Sequence, residues 1–300
     1  MKEGVVGRLL ANVDRTVSVT CVTRWRPEEI RAGVSDLGVW GVIQGRKNAR
    51  LLLRNDLHAK YYRSDAQCLI GSANLTGRAL GWSANPNFEL LVRMDAKTEA
   101  LAASERNLIK DAVVVNQDLV EEFEAIMSKL PPLNEHAIEE SPPNLAERLN
   151  VRSDRIWIPV CRYPEQLFQV YAEKSDHIST GGVEAVEQDL AYIGPPPRLN
   201  EHAFNATVHA ILMQTPIFTR VENFMNRPRR FGEMRSYLLS MPELVNDERE
   251  ATEMWQTLMR WLLHFLPSRY RLAVPNFSEI ILRIGRESAL DDTNQDSERL

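Results

Sequence analysis

The strongest constraint on this chain is a set of short apolar and β-branched runs: VSVTCVTRW (17–25), ARLLL (49–53), HAKYY with QCLIGS (58–72) and FELLVR (88–93). Each is too short for a core helix and is bounded by turn-forming residues, so each reads as a strand. HAKYY, the turn-like RSDA and QCLIGS together read as an antiparallel hairpin. Between the first two runs lies PEEIRAGVSDLGVWGVIQ, with Pro27 suited to a first helical turn and apolar residues at helical spacing. A helix within VNQDLVEEFEAIMSKL (115–130), capped by Asn116, closes this part of the chain.

The pattern then changes. Residues 131–150, PPLNEHAIEESPPNLAERLN, are Pro-rich and acidic and read as a linker. RIWIPV reads as one more strand, and GPPP (194–197) is a second break. Helical patterns follow in NEHAFNATVHAILMQ, PIFTRVENFMN and EREATEMWQTLMRWLLHFL, and the polar tail DDTNQDSERL reads as disordered. The expected partition is a first domain over 1–130, a linker over 131–150, a mainly helical α+β accessory domain over 151–290 and a disordered tail over 291–300. A chain of 300 residues accommodates two ordinary domains.

Several function classes are disfavoured at this level. No apolar stretch has the length of a bilayer span, and the N-terminus lacks the apolar core of a secretory signal. Cys21, Cys68 and Cys161 are scattered, without metal-like spacing, and read as free thiols in a reducing compartment; a cytoplasmic location is the expectation. Residues 1–95 carry fourteen Lys and Arg against nine Asp and Glu, while the whole chain has a net charge of -5. The chain is therefore no polycation, although a basic first part is compatible with a phosphate-bearing substrate.

The chemistry concentrates in NDLHAKYYRSDAQCLIGSANLTG (55–77). Alternation along a strand would put His58 and Lys60 on one face, and the returning strand would bring Gly71, Ser72 and Asn74 beside them. Asp65 falls at the far turn, roughly 20 Å from His58 at about 3.3 Å per residue, and reads as a turn-fixing residue. SANLTGRAL could open a helix capped by Asn74 or Thr76, which would aim backbone N–H groups at an anion. An imidazole, an ammonium, a hydroxyl and an amide converging on one point can hold a phosphoryl group. Alone, His-x-Lys is more often an ordinary solvated strand face.

His58-x-Lys60-x4-Asp65 followed by Gly71-Ser72-x-Asn74 resembles the signature of the phospholipase D superfamily, and the resemblance extends over about residues 5–130. Glu89, in Asn87-Phe88-Glu89, resembles the family's acidic position that orients the nucleophilic histidine. The resemblance implies an αβα sandwich and a metal-independent, cofactor-free attack on a phosphodiester. One histidine forms a phosphohistidine and a second protonates the leaving oxygen. His58 is the only histidine of this chain in a His-x-Lys pattern, so the resemblance implies a homodimer that supplies the second one. Members usually begin with a strand before their first helix. This chain opens on EGVVGRLLANVD, which already reads as that helix, so either that strand is absent or Met1 is not the natural start.

Outside the motif, Arg24 and Arg26 end a strand near the expected substrate entrance and read either as backbone-phosphate contacts or as a solvated rim. RPRR (227–230) reads as an interhelical loop or a phosphate contact. Trp255, Trp261 and Phe265 read as core, and the remaining histidines show no metal-ligand spacing. The expected function is a metal-independent nuclease acting on DNA or RNA in a homodimer, in a setting such as restriction or phage defence, with other defence proteins as further partners and no membrane. The alternatives are a phospholipid phosphodiesterase and a non-catalytic scaffold of a larger complex.

Overall fold

The computed structural model describes residues 1–131, 156–175, 177–274 and 279–284. The expected tail and all of the expected linker except Pro131 lie outside the described residues. The chain divides into two units, Met1–Ala137 with Ala210–Thr219, and Ile138–His209 with Arg220–Leu300. Among the described residues no helix is long and apolar enough to cross a membrane.

The first unit mixes helices with small sheets. Its elements in order are α1 (Glu3–Leu10), β1 (Val19–Thr23), α2 (Pro27–Arg31), α3 (Val39–Gln44), β2 (Ala49–Leu53), β3 (Tyr61–Ser64), β4 (Gln67–Gly71), β5 (Leu91–Asp95), α4 (Glu99–Lys110), β6 (Val113–Val114) and α5 (Gln117–Ser128). β1 runs parallel to β2 with Val19 opposite Ala49, and β6 adds antiparallel on the other side of β2. β3, β4 and β5 form a separate antiparallel meander. Leu51, Leu52 and Leu53 are all buried, because a strand covered on both faces takes a continuous apolar run. Phe123 of α5 meets the buried Trp25 edge-on, with ring centroids 5.1 Å apart.

The stretch after β1 is two short helices, not one. Gly33, at φ 64, turns the chain out of α2, and the N–H groups of Val34 and Ser35 both donate to the Glu29 carbonyl, at 2.8 and 3.1 Å. α5 begins where expected, with the Asn116 side chain accepting from the Leu119 N–H at 2.9 Å.

One side chain completes the parallel pair. Beyond Thr23 and Leu53 the ladder stops, which leaves buried peptide groups in need of partners. Gln214, from the 210–219 segment of this same unit, is fully buried. Its Oε1 accepts from the Trp25 N–H at 2.7 Å, and its Nε2 donates to the carbonyls of Trp25 and Ala210 at 2.9 Å each. Its own carbonyl accepts from the Asn55 N–H at 3.1 Å.

The second unit contains α6 (Glu165–Tyr171), α7 (Thr180–Ile193), most of α8 (Glu201–Leu212) and of α9 (Pro216–Phe224), β7 (Arg229–Arg230), α10 (Phe231–Leu239), α11 (Glu248–Phe265), β8 (Tyr270–Ala273) and β9 (Ile280–Arg283). α11 starts at Asp247, whose carboxylate accepts from the Glu250 N–H at 2.8 Å, and it buries Trp255, Trp261 and Phe265 as core. The expected strand RIWIPV forms no ladder over its described residues. The N–H groups of Val160 and Cys161 instead donate to the carboxylate of Asp189 on α7, at 3.0 and 2.7 Å, and Pro159 has no N–H to give. Trp157 stacks on Tyr192 at 4.2 Å, and the Trp261 indole N–H donates to the Cys161 carbonyl at 2.8 Å. All three cysteines are free thiols, and burial pushes those of Cys21 and Cys161 up to about 11.

Two outcomes follow. Gln214→Leu keeps the volume but strips partners from buried peptide groups, and we expect a loss of about 3 kcal/mol of stability of the first unit, read by urea unfolding; an unchanged midpoint would refute the clamp. Burial raises Asp189 to about 7, against the opposing pull of its two N–H donors, whereas an unfolded aspartate titrates near about 3.9. The native state therefore binds the extra proton between these values. The stability contributed by this one group is full below about pH 4, is lost as pH rises towards about 7 and stays level above. Asp189→Asn should abolish that decline in a thermal-melt series across pH.

Candidate functional site

The loop leaving β2 carries His58 and Lys60 and is anchored by its own residues. The Arg54 N–H donates to the Thr23 carbonyl at 2.9 Å, and its guanidinium forks onto Asp56 at 2.6 and 3.0 Å while also reaching the Asn107 carbonyl of α4. His58 is exposed on this loop. Lys60 folds back, its Nζ donating to the His58 carbonyl at 2.8 Å. The expectation that both lie on a strand is corrected: the ladder opens only at Tyr61, opposite Ile70.

The hairpin turns through Asp65 and Ala66, with Asp65 at φ 50. Aspartate tolerates this left-handed conformation better than most residues, which suits the turn role read for it. On the return, Gly71 passes so close to the neighbouring chain that an added Cβ would sit 1.9 Å from the Leu90 carbonyl oxygen. Only glycine fits there.

Ser72 continues the pairing with side chain and backbone together. Its N–H donates to the Leu90 carbonyl at 3.0 Å, its Oγ accepts from the Leu90 N–H at 3.0 Å, and its hydroxyl donates to Glu89 Oε2 at 2.5 Å. The Asn87 side-chain amide donates to the other Glu89 oxygen at 3.1 Å. These bonds occupy residues 87–90, so β5 starts at Leu91, three residues later than FELLVR suggested. The helix expected after Ser72 does not form. The Thr76 hydroxyl accepts from the Ala79 N–H at 3.2 Å and caps a single turn, which ends at Gly81 with φ 70. This segment therefore aims no helix terminus at the motif, and Asn74 stands exposed before that turn.

Lys60, Arg24, Glu29 and Glu89 form one electrostatic cluster. Burial first, then the like charge of Arg24, pulls the Lys60 ammonium below its ordinary value, with Glu29 and Glu89 opposing. Glu89 is held below the usual carboxylate range by the Ser72 hydroxyl first, then by Asn87 and the Lys60 charge. Arg24 is joined to Glu29 through two nitrogens. Arg26 is bound by Glu28 and keeps 13% of its side-chain surface exposed.

The structure thus gathers Lys60, Ser72, Glu89 and Arg24, leaves Asp65 and Arg26 in local roles, and sets His58 beside Lys60. Three contributors had not been singled out from the sequence. Asn87 fixes Glu89, Arg54 fixes the loop, and Tyr62 donates to the Ala73 carbonyl at 2.7 Å beneath the Gly71–Asn74 segment. Asn87, two residues before a candidate carboxylate, was the one with a readable signal. Comparisons with protein-family models, curated proteins and solved structures found no match for this chain.

Because Ser72 is the largest influence on Glu89, Ser72→Ala should raise the Glu89 titration towards that of an ordinary glutamate, and Asn87→Ala should raise it less. Carboxyl-detected NMR titration measures both shifts; an unmoved Glu89 in Ser72→Ala would contradict the assignment.

Proposed function

We propose that this chain is a phosphodiesterase of the phospholipase D type, an αβα-class nuclease whose half-site is completed by a second copy in a homodimer. The observation that carries the reading is the motif together with its placement. His58-x-Lys60 and Gly71-Ser72-x-Asn74 lie on the loop and strand ends of one hairpin, Asp65 lies at its turn, and Glu89 is hydrogen-bonded to Ser72. Electrostatics support it. The Arg24 charge disfavours that of Lys60, and a phosphodiester anion between them would relieve that repulsion. Exposed Phe88, Leu90 and Val92, on the segment that carries Glu89, give a second copy an apolar surface beside the site.

In this mechanism the neutral His58 imidazole attacks phosphorus. A P–N bond forms as the P–O bond to the leaving group breaks, and the leaving oxygen takes a proton from the protonated His58 of the second copy. That now-neutral imidazole next removes a proton from water, which attacks phosphorus, breaks the P–N bond and regenerates both histidines. Lys60 and Asn74 hold the non-bridging oxygens, and Arg24 holds an adjacent phosphate. Ser72 and Asn87 keep Glu89 ionised and fixed, so that its charge can orient and stabilise the imidazolium. The compartment would be cytoplasmic, and the biological setting restriction or phage defence with other defence proteins.

We expect EDTA-resistant cleavage of labelled DNA or RNA, abolished in His58→Ala, with a bell-shaped pH–rate profile because one histidine must be neutral and the other protonated. Light scattering should give the mass of a dimer. A strict Mg²⁺ requirement would overturn the phosphohistidine route, and cleavage of phosphatidylcholine vesicles alone would overturn the nuclease reading.

A further inference from the structure

Two loops of the candidate site leave the ends of β1 and β2, and one residue ties both of them. The ladder between these strands ends at Thr23 opposite Leu53, followed by a bond from the Arg54 N–H to the Thr23 carbonyl. Beyond it, one segment continues through Arg24 and Trp25, and the other through Asn55 to His58 and Lys60.

Gln214 engages the first segment with its side chain. The peptide joining Arg24 to Trp25 donates its N–H to Gln214 Oε1 at 2.7 Å, and its carbonyl accepts from the Ser35 hydroxyl at 3.1 Å. The next carbonyl, that of Trp25, accepts from Gln214 Nε2 at 2.9 Å. The second segment is engaged by the main chain of the same residue. The Gln214 carbonyl accepts from the N–H of the peptide joining Arg54 to Asn55, at 3.1 Å. The carbonyl of that peptide accepts from the N–H of Leu57, the residue before His58, at 3.3 Å. The length of one glutamine side chain therefore sets the spacing of the two peptides from which the loops depart.

That glutamine is itself held. It is fully buried in the turn between α8 and α9, and its N–H donates to the Ile211 carbonyl at 3.1 Å. Nε2 donates a second bond to the Ala210 carbonyl, and the Thr215 hydroxyl donates to the Ile211 carbonyl at 2.8 Å. Pro216 opens α9 with a φ fixed by its ring. A buried amide with donor and acceptor both engaged on fixed peptides favours one geometry. At the site, Arg24 is fastened to Glu29 through two nitrogens, and its charge acts on Lys60 after the effect of burial. The distance between these two cations follows the placement of the two loops.

We propose that Gln214 is a positioning residue of the candidate site: by holding the Arg24–Trp25 and Arg54–Asn55 peptides at one spacing, it fixes Arg24 relative to the loop of His58 and Lys60. Its consequence for catalysis rests on the phosphodiesterase reading, whereas its effect on the geometry does not.

The test uses full-length variants. Gln214→Met keeps the side-chain length without the polar atoms, and Gln214→Asn keeps the amide and shortens its reach. Ile43→Ala, at a buried residue of α3 with no part in these bonds, is the control for lost stability. Circular dichroism selects conditions in which each variant is folded. In lysine-selective NMR titration, Lys60 should move up towards the ordinary lysine value in both Gln214 variants, as burial and the nearby Arg24 charge are lost, and should stay in place in Ile43→Ala. The kcat for labelled DNA or RNA should fall about tenfold or more in Gln214→Met and be unchanged per folded molecule in Ile43→Ala. If Gln214→Met does not fold, Gln214→Asn decides alone. An unmoved Lys60 in the folded Gln214 variants, or an equal rise in Ile43→Ala, would overturn the proposal. A rise of Lys60 in a chain that cleaves nothing would leave the positioning role standing while the phosphodiesterase reading fell.

Discussion

The first unit depends on one buried amide. Where β1 and β2 end side by side, the hydrogen-bond ladder stops, yet the chain stays inside the core for two more residues. Gln214 meets that need by pairing both peptide groups of Trp25 while its own carbonyl takes the Asn55 N–H. A glutamine here costs little because both ends of its amide are engaged, whereas an apolar residue would leave buried donors and an acceptor bare. The loops that leave these strand ends carry Arg24 and His58. The position of the candidate site is thus tied to a residue far downstream in the chain, and residues 1–130 alone lack the clamp.

This dependence also explains what the sequence could reveal. β2 was legible because Leu51, Leu52 and Leu53 fill a strand buried on both faces, and the hairpin because Asp65 and Gly71 each satisfy a local demand. The Asn116 cap is likewise a bond between near neighbours. Gln214 and Asp189 act on backbone groups 189 and about 29 positions away. Such bonds leave no periodicity behind. Asp189 even removes a strand that composition favours, by taking the N–H groups a ladder would use. Ser72 similarly delays β5 by pairing its hydroxyl with Leu90. In both of these cases a side chain replaced a backbone partner.

At the candidate site the same economy recurs. Ser72 carries three hydrogen bonds, two that hold β4 to the incoming β5 segment and one that fixes Glu89. Its hydroxyl is therefore a positioning group in this state, and direct contact with phosphate would fall to Lys60, Arg24 and Asn74. The two titration shifts fit that division. Glu89 is made more acidic by donors that stay in place, while Lys60 is made less basic by burial and by a neighbouring cation that an arriving anion would screen. On the proposed function, an anionic ligand would relieve the repulsion that Lys60 meets from Arg24.

Net charge conceals this arrangement. The basic excess of residues 1–95 spreads over a surface where several arginines already have carboxylate partners, as Arg24, Arg26 and Arg54 do. The remainder of the chain is acidic overall. Binding of a polyanion responds to the local surplus within about a Debye length, near 10 Å at moderate ionic strength, and hardly to the sum over a domain.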